Sequence, residues 1–213
     1  MLRSLFLLCA FLISLPALAA GENTAENLQL LQTRWAEINY QAPVAEKEKE
    51  FAKLSAQAAT MVRQDPAAEL LIWQGIILST YAGAKGGLGA LDLVKEAKDS
   101  LEQAIKVDPA ALDGSAYTSL GALYYQVPGW PVGFGDDEEA EVLLKKALVM
   151  NPDGIDPNYF YGDYLAREKR YAEARVVLEK ALAAPDRPGR ELADSGRRAE
   201  VKALLAKVQA ELD

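Results

Sequence analysis

One short pattern occurs three times in this chain of 213 residues and constrains its fold more than any other feature. Each copy begins with Ala, continues with Leu, a second Ala and an aliphatic residue at helical spacing, and closes on Pro. The copies are 97–109, 140–152 and 174–185, and the last is one residue shorter. Apolar residues at this spacing predict an amphipathic helix, which the proline ends because it lacks a backbone donor and clashes with the preceding turn.

A second kind of helix precedes each copy. It carries a glycine among apolar residues, at Gly75, Gly121 and Gly162. We expect each pair of helices to form a hairpin in which the glycine of the first helix faces the alanine of the second, since small residues allow close approach. Such a hairpin leaves one apolar face uncovered, so that neighbouring hairpins must stack. The chain is therefore predicted to be an all-α solenoid of helical hairpins.

These residues resemble the tetratricopeptide-repeat (TPR) family, whose pattern is an aromatic residue, Leu-Gly, Tyr, Ala, an aromatic residue or Leu, Ala and Pro. The resemblance implies about three TPR units, at about 68–109, 114–152 and 155–185. Only the third has the length typical of the family. The first two carry insertions between their helices, at 81–89 and 127–137.

Further helices are predicted at both ends of the repeats, within one helical domain over 20–213. An N-terminal hairpin is expected over 24–41 and 45–64. A C-terminal capping helix is expected at about 190–212, because an apolar stripe recurs on one face there: Val201, Leu204, Leu205, Val208 and Leu212.

Acidic residues predict two helix starts. Asp136 is expected to cap the helix that begins near Asp137, with Glu139 completing a capping box. Asp156 is expected to cap a later helix ahead of Pro157.

The run 136–139 is also the obvious candidate for carboxylate chemistry or a calcium site. It lacks the ligand spacing of an EF-hand, and acids at a helix N-terminus complement the helix dipole, which favours the structural interpretation.

The first residues predict export. Arg3 precedes an apolar run over 5–15, and 17–19 offers the small residues that a signal peptidase requires. We therefore predict a signal peptide over 1–19 and a periplasmic mature protein with no membrane span. A membrane anchor is the alternative, but the run is short for a bilayer core of ~30 Å. Cys9, the only cysteine, lies inside the predicted signal peptide.

The composition argues against catalysis and against nucleic acid. The chain has no histidine, which removes Ser-His and Cys-His nucleophile systems and the usual zinc sites. We expect no enzyme activity, no cofactor and no metal. The glycine-rich segment 83–89 lacks the preceding strand and the following Lys-Ser/Thr of a phosphate-binding loop, so an inter-helix loop is favoured. A net charge of −8 repels phosphate backbones.

The TPR resemblance also implies a binding groove, because first helices line the concave face in that family. Carried over by position, the candidates are Ile72, Ile76, Thr80, Thr118, Ala122, Tyr125, Gln126, Tyr159, Asp163 and Arg167. TPR proteins that clamp a partner's C-terminal carboxylate use several Lys and Asn in this groove. The predicted set contains only one cation, Arg167.

The second insertion is a further candidate. It places Trp130 and Phe134 in a loop that two prolines stiffen and three glycines open. One interpretation is that both aromatic side chains fold back to cover the repeat core. The other is that they line a pocket or meet a partner.

Residues 114–174 are also similar to small periplasmic TPR proteins related to the T-component of TRAP-type solute transporters. That resemblance implies a helical bundle with a ligand-accessible groove that docks a solute-binding partner. We therefore expect a non-catalytic scaffold or adaptor with a protein partner, such as a periplasmic solute-binding or envelope protein. The alternative is a small-molecule or lipid-binding accessory protein of a TRAP-type system, which takes a small apolar ligand.

Overall fold

The computed structural model describes the backbone of residues 16–213 and the side chains of residues 23–213. The apolar run and Cys9 of the predicted signal peptide lie outside the described residues. Within them the chain forms nine α-helices and no strand, which confirms the predicted all-α hairpin fold. The helices are α1 (Pro16–Tyr40), α2 (Val44–Gln64), α3 (Ala68–Lys85), α4 (Ala90–Val107), α5 (Ala111–Gln126), α6 (Asp137–Met150), α7 (Ile155–Arg167), α8 (Tyr171–Leu182) and α9 (Glu191–Ala210).

The three repeat glycines lie where paired helices approach most closely, in the hairpins α3–α4, α5–α6 and α7–α8. A β-carbon built on each would lie 2.6–2.8 Å from the Cγ of a leucine: Gly75 from Leu101, Gly121 from Leu144 and Gly162 from Leu178. The expectation that alanine faces the glycine is therefore wrong in detail. The leucine side chain fills that place, and the repeat alanine contributes only a carbonyl oxygen, at 3.2–3.3 Å for the first two glycines.

The two insertions take different forms. The first, at 81–89, is mostly helix, since α3 runs on to Lys85 and only 86–89 separate it from α4, which shortens the inter-helix loop expected over 83–89. The second is a true loop between α5 and α6. Its ends are tied together, because the backbone N–H of Gly135 donates to the carbonyl of Pro128 at 3.0 Å. The backbone N–H of Asp136 donates to the carbonyl of Tyr124 on α5 at 2.9 Å.

The two predicted caps differ in outcome. Asp136 caps α6, since its Oδ1 accepts from the backbone N–H groups of Glu138 at 3.0 Å and Glu139 at 3.1 Å. The capping box is incomplete, because the N–H of Asp136 bonds to α5 instead of to the Glu139 side chain. The prediction for Asp156 is wrong. Gly154 is the N-cap of α7, and the Asp156 carboxylate bonds to two arginines from the C-terminal segment.

The last helix closes the solenoid on itself. Along the chain, α1, α3, α5 and α7 contact one another in order, and α9 contacts both α7 and α1. Val201 and Val208 of α9 join the core of the last hairpin, whereas Ala193 joins the core built by α1, α2 and α3. The predicted capping helix therefore also bridges the two ends. The result is a ring of five helices, α1, α3, α5, α7 and α9, with the second helices of the hairpins outside it.

Candidate functional site: a cavity inside the helical ring

The ring surrounds a cavity of about 600 Å³. All five ring helices contribute to its wall, together with the start of α2 and residues just before α9. The first helices of an open solenoid would provide only a groove. Because α9 lies across from them, the groove becomes a cavity. Its volume falls within the roughly 300–1,000 Å³ that small-molecule sites occupy in proteins.

An aromatic cluster forms one side of the cavity. Trp35 of α1 lies edge-on to Trp73 of α3, with ring centroids 5.8 Å apart, and edge-on to Tyr40 at 5.7 Å. The indole N–H of Trp35 donates to Oγ1 of Thr80 at 2.9 Å, which fixes the ring. Phe160 of α7 adds a further aromatic wall. Such rings offer a ligand a large apolar contact area in a fixed geometry.

A network of charges adjoins these rings, since the Arg197 guanidinium lies 4.8 Å from the centroid of the Phe160 ring. The Asp156 carboxylate accepts from Nε of Arg197 at 2.8 Å and from Nη1 of Arg187 at 2.7 Å. Arg187 also donates to Asp194, and Arg197 pairs with Glu200. Burial would raise the pKa of Asp156, but Arg197 and then Arg187 outweigh it and lower that pKa to about 2. The network joins α7 to α9 and pairs both of its arginines with carboxylates.

Arg190 and Tyr40 differ from that network. Among the described side chains, the only buried polar atoms without a hydrogen-bond partner are Nε of Arg190 and the hydroxyl of Tyr40. Both residues line the cavity. The side chain of Asn39 lies close enough to the Tyr40 hydroxyl to lower its pKa slightly, but the two groups do not meet the geometry of a hydrogen bond. Burial, and then the neighbouring Arg187, lowers the pKa of Arg190, whereas burial raises that of Tyr40.

The wall at the start of α5 is strained. Leu112 and Asp113 have left-handed backbone, with φ of 49° and 55°, and Gly114 follows at 77°. Residues other than glycine in this region cost of order 1–3 kcal/mol each unless their surroundings hold them. Leu112 packs against two cores, the N-terminal core built by α1, α2 and α3 and a central core built by α3, α4, α5 and α6, and this packing fixes the turn. Asp113 stands exposed on the cavity wall.

The structure brings part of the predicted groove to the cavity. The groove candidates that line it are Ile76, Thr80, Thr118, Ala122, Gln126 and Tyr159. Burial raises the pKa of Tyr159 to about 12, so this side chain stays a neutral hydroxyl at neutral pH. Ile72 is fully buried in the central core and cannot line a groove.

Three further groove candidates form a separate cluster at the end of α5. The Tyr125 hydroxyl donates to Oδ2 of Asp163 at 2.8 Å, and the Arg167 guanidinium lies 5.1 Å from the centroid of the Tyr125 ring. Burial, and then the nearby Asp163 carboxylate, raises the pKa of Tyr125 well above its usual value. None of the three lies on the cavity wall. Their contacts tie α5 to α7.

The loop between α5 and α6 separates its two aromatic residues. Phe134 folds back onto Tyr124, edge-on with centroids 5.5 Å apart, and packs against the central core. Trp130 points into solvent with 89% of its surface exposed. The first interpretation of this loop is therefore confirmed for Phe134, which covers the core, and is wrong for Trp130, whose contact with a partner stays a prediction. Neither lines the cavity.

The sequence did not reveal the contribution of the C-terminal segment. Arg187, Arg190 and Arg197 all line the cavity, although the expected groove used the first helices only. One signal was present, since Arg190 and Arg197 lie within, and Arg187 just before, the segment at about 190–212 that its apolar stripe predicts to be a simple cap. In the described part of the chain, no group of three or more acidic, His or Cys residues is arranged to hold a metal ion. No helix there is long and apolar enough to cross a bilayer.

Comparison with known proteins adds little to these observations. No family model matches the chain, and no curated protein matches it. Among solved structures, PilF from Pseudomonas aeruginosa, a TPR-containing protein, is similar with 14% identity and a TM-score of 0.37. The match covers 91% of this chain and 92% of that one. A TM-score this low carries no argument, and the helical-hairpin solenoid is seen in the chain's own hairpins and repeat glycines.

Proposed function

We propose that this protein is a non-catalytic binding protein that holds a small organic molecule in the cavity inside its helical ring. The observation that carries the proposal is the closure of the ring by α9, which converts a solenoid groove into a cavity of about 600 Å³. Binding sites for small molecules combine apolar and aromatic walls with a few polar groups that fix orientation. The cavity has both, in its tryptophans and in its arginines.

We further propose that the protein acts in the periplasm, as an accessory to solute transport. The predicted signal peptide over 1–19 supports action after export, in the periplasm. The resemblance of residues 114–174 to T-component relatives supports a role as an accessory to solute transport of the TRAP type. In that role the cavity would hold the transported solute or a related compound.

Native mass spectrometry of the protein purified under non-denaturing conditions tests this function. Ser119 of α5 is half-buried on the cavity wall, so Ser119→Trp places an indole in the ligand's space. Ser195 is exposed on α9 away from the wall, and Ser195→Trp is the matched control. We expect a small-molecule adduct on the wild type and on Ser195→Trp that Ser119→Trp loses. An adduct that persists on Ser119→Trp, or no adduct on any of the three, contradicts the proposal.

A second candidate function is that of a protein adaptor, and one observation favours it. Trp130 is 89% exposed and Val132 55% exposed, in a loop that backbone hydrogen bonds hold to α5. Exposed tryptophans on fixed supports are typical centres of protein interfaces. TPR-like solenoids also offer extended surfaces to partners. In this function Trp130→Ala abolishes cross-linking to a periplasmic solute-binding or envelope protein, whereas Ser119→Trp leaves it unchanged.

A further inference from the structure

The guanidinium of Arg190 lies on the cavity wall and has no hydrogen-bond or ion-pair partner among the described residues. Arg190 forms no ion pair and no side-chain hydrogen bond with any described residue, although a guanidinium carries five N–H donors. Its Nε is buried. Its two Nη groups, which also lack partners, are not among the buried atoms and therefore remain accessible. A cation that is partly desolvated and unpaired is costly to a fold, so its retention on a cavity wall indicates a partner from outside the chain.

The neighbouring charges do not supply that partner. Arg187 lies close by in sequence and donates to both Asp156 and Asp194, each at 2.7 Å. The Asp194 carboxylate also accepts from the backbone N–H of Arg187, and Arg197 takes the remaining oxygen of Asp156. The carboxylates of the network are therefore engaged by other arginines. The remaining carboxylate on the wall, Asp113, is exposed to solvent.

The position of the Arg190 guanidinium is fixed by stacking. Its Cζ lies 5.0 Å from the centroid of the Trp73 ring, on which the guanidinium packs. This contact satisfies none of the N–H groups, because a cation–π interaction uses the face of the ring. It holds the side chain and leaves the edges of the guanidinium available. The aromatic wall of Trp73 and Trp35 therefore adjoins a fixed set of unused donors.

We propose that Arg190 recognises a carboxylate, and that the ligand of the cavity is a small organic acid whose apolar body lies against Trp73 and Trp35. This inference rests on the proposed function, the binding of a small molecule in this cavity. A planar guanidinium matches the two oxygens of a carboxylate with two parallel hydrogen bonds, which a neutral amide or alcohol cannot accept in the same way. The hydroxyl of Tyr40, the other buried polar atom without a partner, provides a second donor on the same wall.

This site differs from the groove of a TPR clamp. The arginine is the N-cap residue of α9, a helix that lies outside the three hairpins, and it reaches the cavity because α9 closes the ring. A neutral ligand would contact the aromatic wall equally well and leave Arg190 unused. The preference for an acid over its neutral analogue is therefore the property that separates this inference from ligand binding in general.

Affinity selection from a matched library tests that preference. The mature protein is equilibrated with short- and medium-chain carboxylic acids, straight-chain and phenyl-substituted, each accompanied by its primary amide. Retained compounds are identified by mass spectrometry after rapid gel filtration. We expect acids to be enriched over their amides by about 10-fold or more, as a charge-assisted hydrogen bond provides.

Three variants complete the experiment. Arg190→Met keeps an apolar contact with Trp73 and should abolish the enrichment of acids over amides. Arg190→Lys keeps the positive charge but loses the two parallel N–H donors of the guanidinium, and it should reduce the enrichment. Arg198→Met is the matched control on α9, since Arg198 bonds to Asp186 and to the carbonyl of Ala184 and does not line the cavity. Circular dichroism checks folding. If Arg190→Met does not fold, the role of Arg190 is tested by Arg190→Lys alone, which should reduce the enrichment of acids over amides.

The outcomes separate this inference from the function on which it rests. Enrichment of acids that depends on Arg190 and not on Arg198 supports both. Retention of acids and amides alike overturns the role of Arg190 and leaves small-molecule binding intact. An enrichment that Arg190→Met and Arg190→Lys both preserve also overturns the role of Arg190. Retention of no compound by the wild type overturns both.

Discussion

Gly196 of α9 lies directly against the ring of Tyr40 on α1, so that a β-carbon built on the glycine would be 2.4 Å from Cε1 of the tyrosine. Real side chains do not approach this closely, and Tyr40 cannot simply move aside because Trp35 packs edge-on to it at 5.7 Å. The two ends of the helical solenoid therefore meet at a position that requires glycine. This contact closes the ring of helices, so that the solenoid encloses a cavity instead of an open groove.

The first prediction concerns this contact. In an exposed helix, Gly→Ala stabilises by up to about 1 kcal/mol, because alanine has the higher helix propensity. We expect Gly196→Ala instead to destabilise the protein by about 1–3 kcal/mol through overpacking against Tyr40. Gly83→Ala in α3 is the matched control, since nothing lies within 4 Å of a β-carbon there, and it should stabilise. Denaturant unfolding measures both, and equal effects of the two substitutions would rule out a tight contact.

The second prediction concerns the charge network between α7 and α9. The pKa of Asp156 is lowered from 3.8 to about 2 in the folded protein, so its contribution to stability is complete above pH 3.8 and is lost as the pH falls through about 2. The contribution is about 2 kcal/mol. Asp156→Asn should therefore lower the free energy of unfolding by about 3 kcal/mol at neutral pH, because it breaks a buried ion pair. The difference in stability between this variant and the wild type should shrink as the pH falls from 4 to 2, where the wild-type carboxylate becomes protonated.

A matched carboxylate shows what an exposed pair contributes. Glu173 bonds to Arg170 with 58% of its side chain exposed, and Glu173→Gln should leave stability close to that of the wild type, because solvent screens an exposed ion pair. Unfolding curves at a series of pH values compare the two variants. A pH-independent difference for Asp156→Asn would show that its carboxylate is not the titrating group.

The third prediction concerns the repeat glycines. Gly121→Ala should destabilise by about 1–3 kcal/mol, because its β-carbon would lie 2.8 Å from Cγ of Leu144 and 3.3 Å from the carbonyl oxygen of Ala140. Leu144→Ala alone should cost about 2–5 kcal/mol through the cavity it leaves. The double variant should be less destabilised than the sum of the two, because the smaller side chain makes room for the new methyl group. Strict additivity would show that the two residues do not touch.

The fourth prediction concerns the loop between α5 and α6. Trp130→Ala should change stability by less than about 0.5 kcal/mol, since the indole is 89% exposed. Phe134→Ala should cost about 1–2 kcal/mol, because it removes the packing on Tyr124 and the central core. Thermal unfolding distinguishes them. A large loss of stability on Trp130→Ala would place the indole against the protein and remove the case for an adaptor surface.

The sequence predicted the hairpins well because their determinants are local. Repeated small residues and closing prolines specify helices and their pairing within short stretches of chain, as Gly162 and Pro185 do for the last hairpin. The cap at Asp136 is local in the same way. The Asp156 cap failed because distant arginines compete for that carboxylate, and no local pattern records their approach.

The cavity depends on contacts that short-range patterns do not contain. Tyr40 and Gly196 are far apart in sequence, and nothing in either segment alone indicates that they meet. Carrying groove positions over by repeat register placed Ile76 and Tyr159 on the wall, but also Ile72, which is buried. Ile72 is buried because α3 packs on several neighbouring helices at once, which the repeat register does not record. Arg190 was missed for the same reason, since its role follows from closure of the ring.

The central claim is that α9 closes the ring against α1, and a distance between spin labels tests it most directly. Gln41 and Ser195 are exposed near the two sides of the contact, and with Cys9→Ser the substitutions Gln41→Cys and Ser195→Cys provide the only two thiols. Pulsed electron paramagnetic resonance should give one narrow distance distribution, which broadens and lengthens when Gly196→Leu is added. A broad distribution that Gly196→Leu leaves unchanged would show that the solenoid is open and would contradict the account.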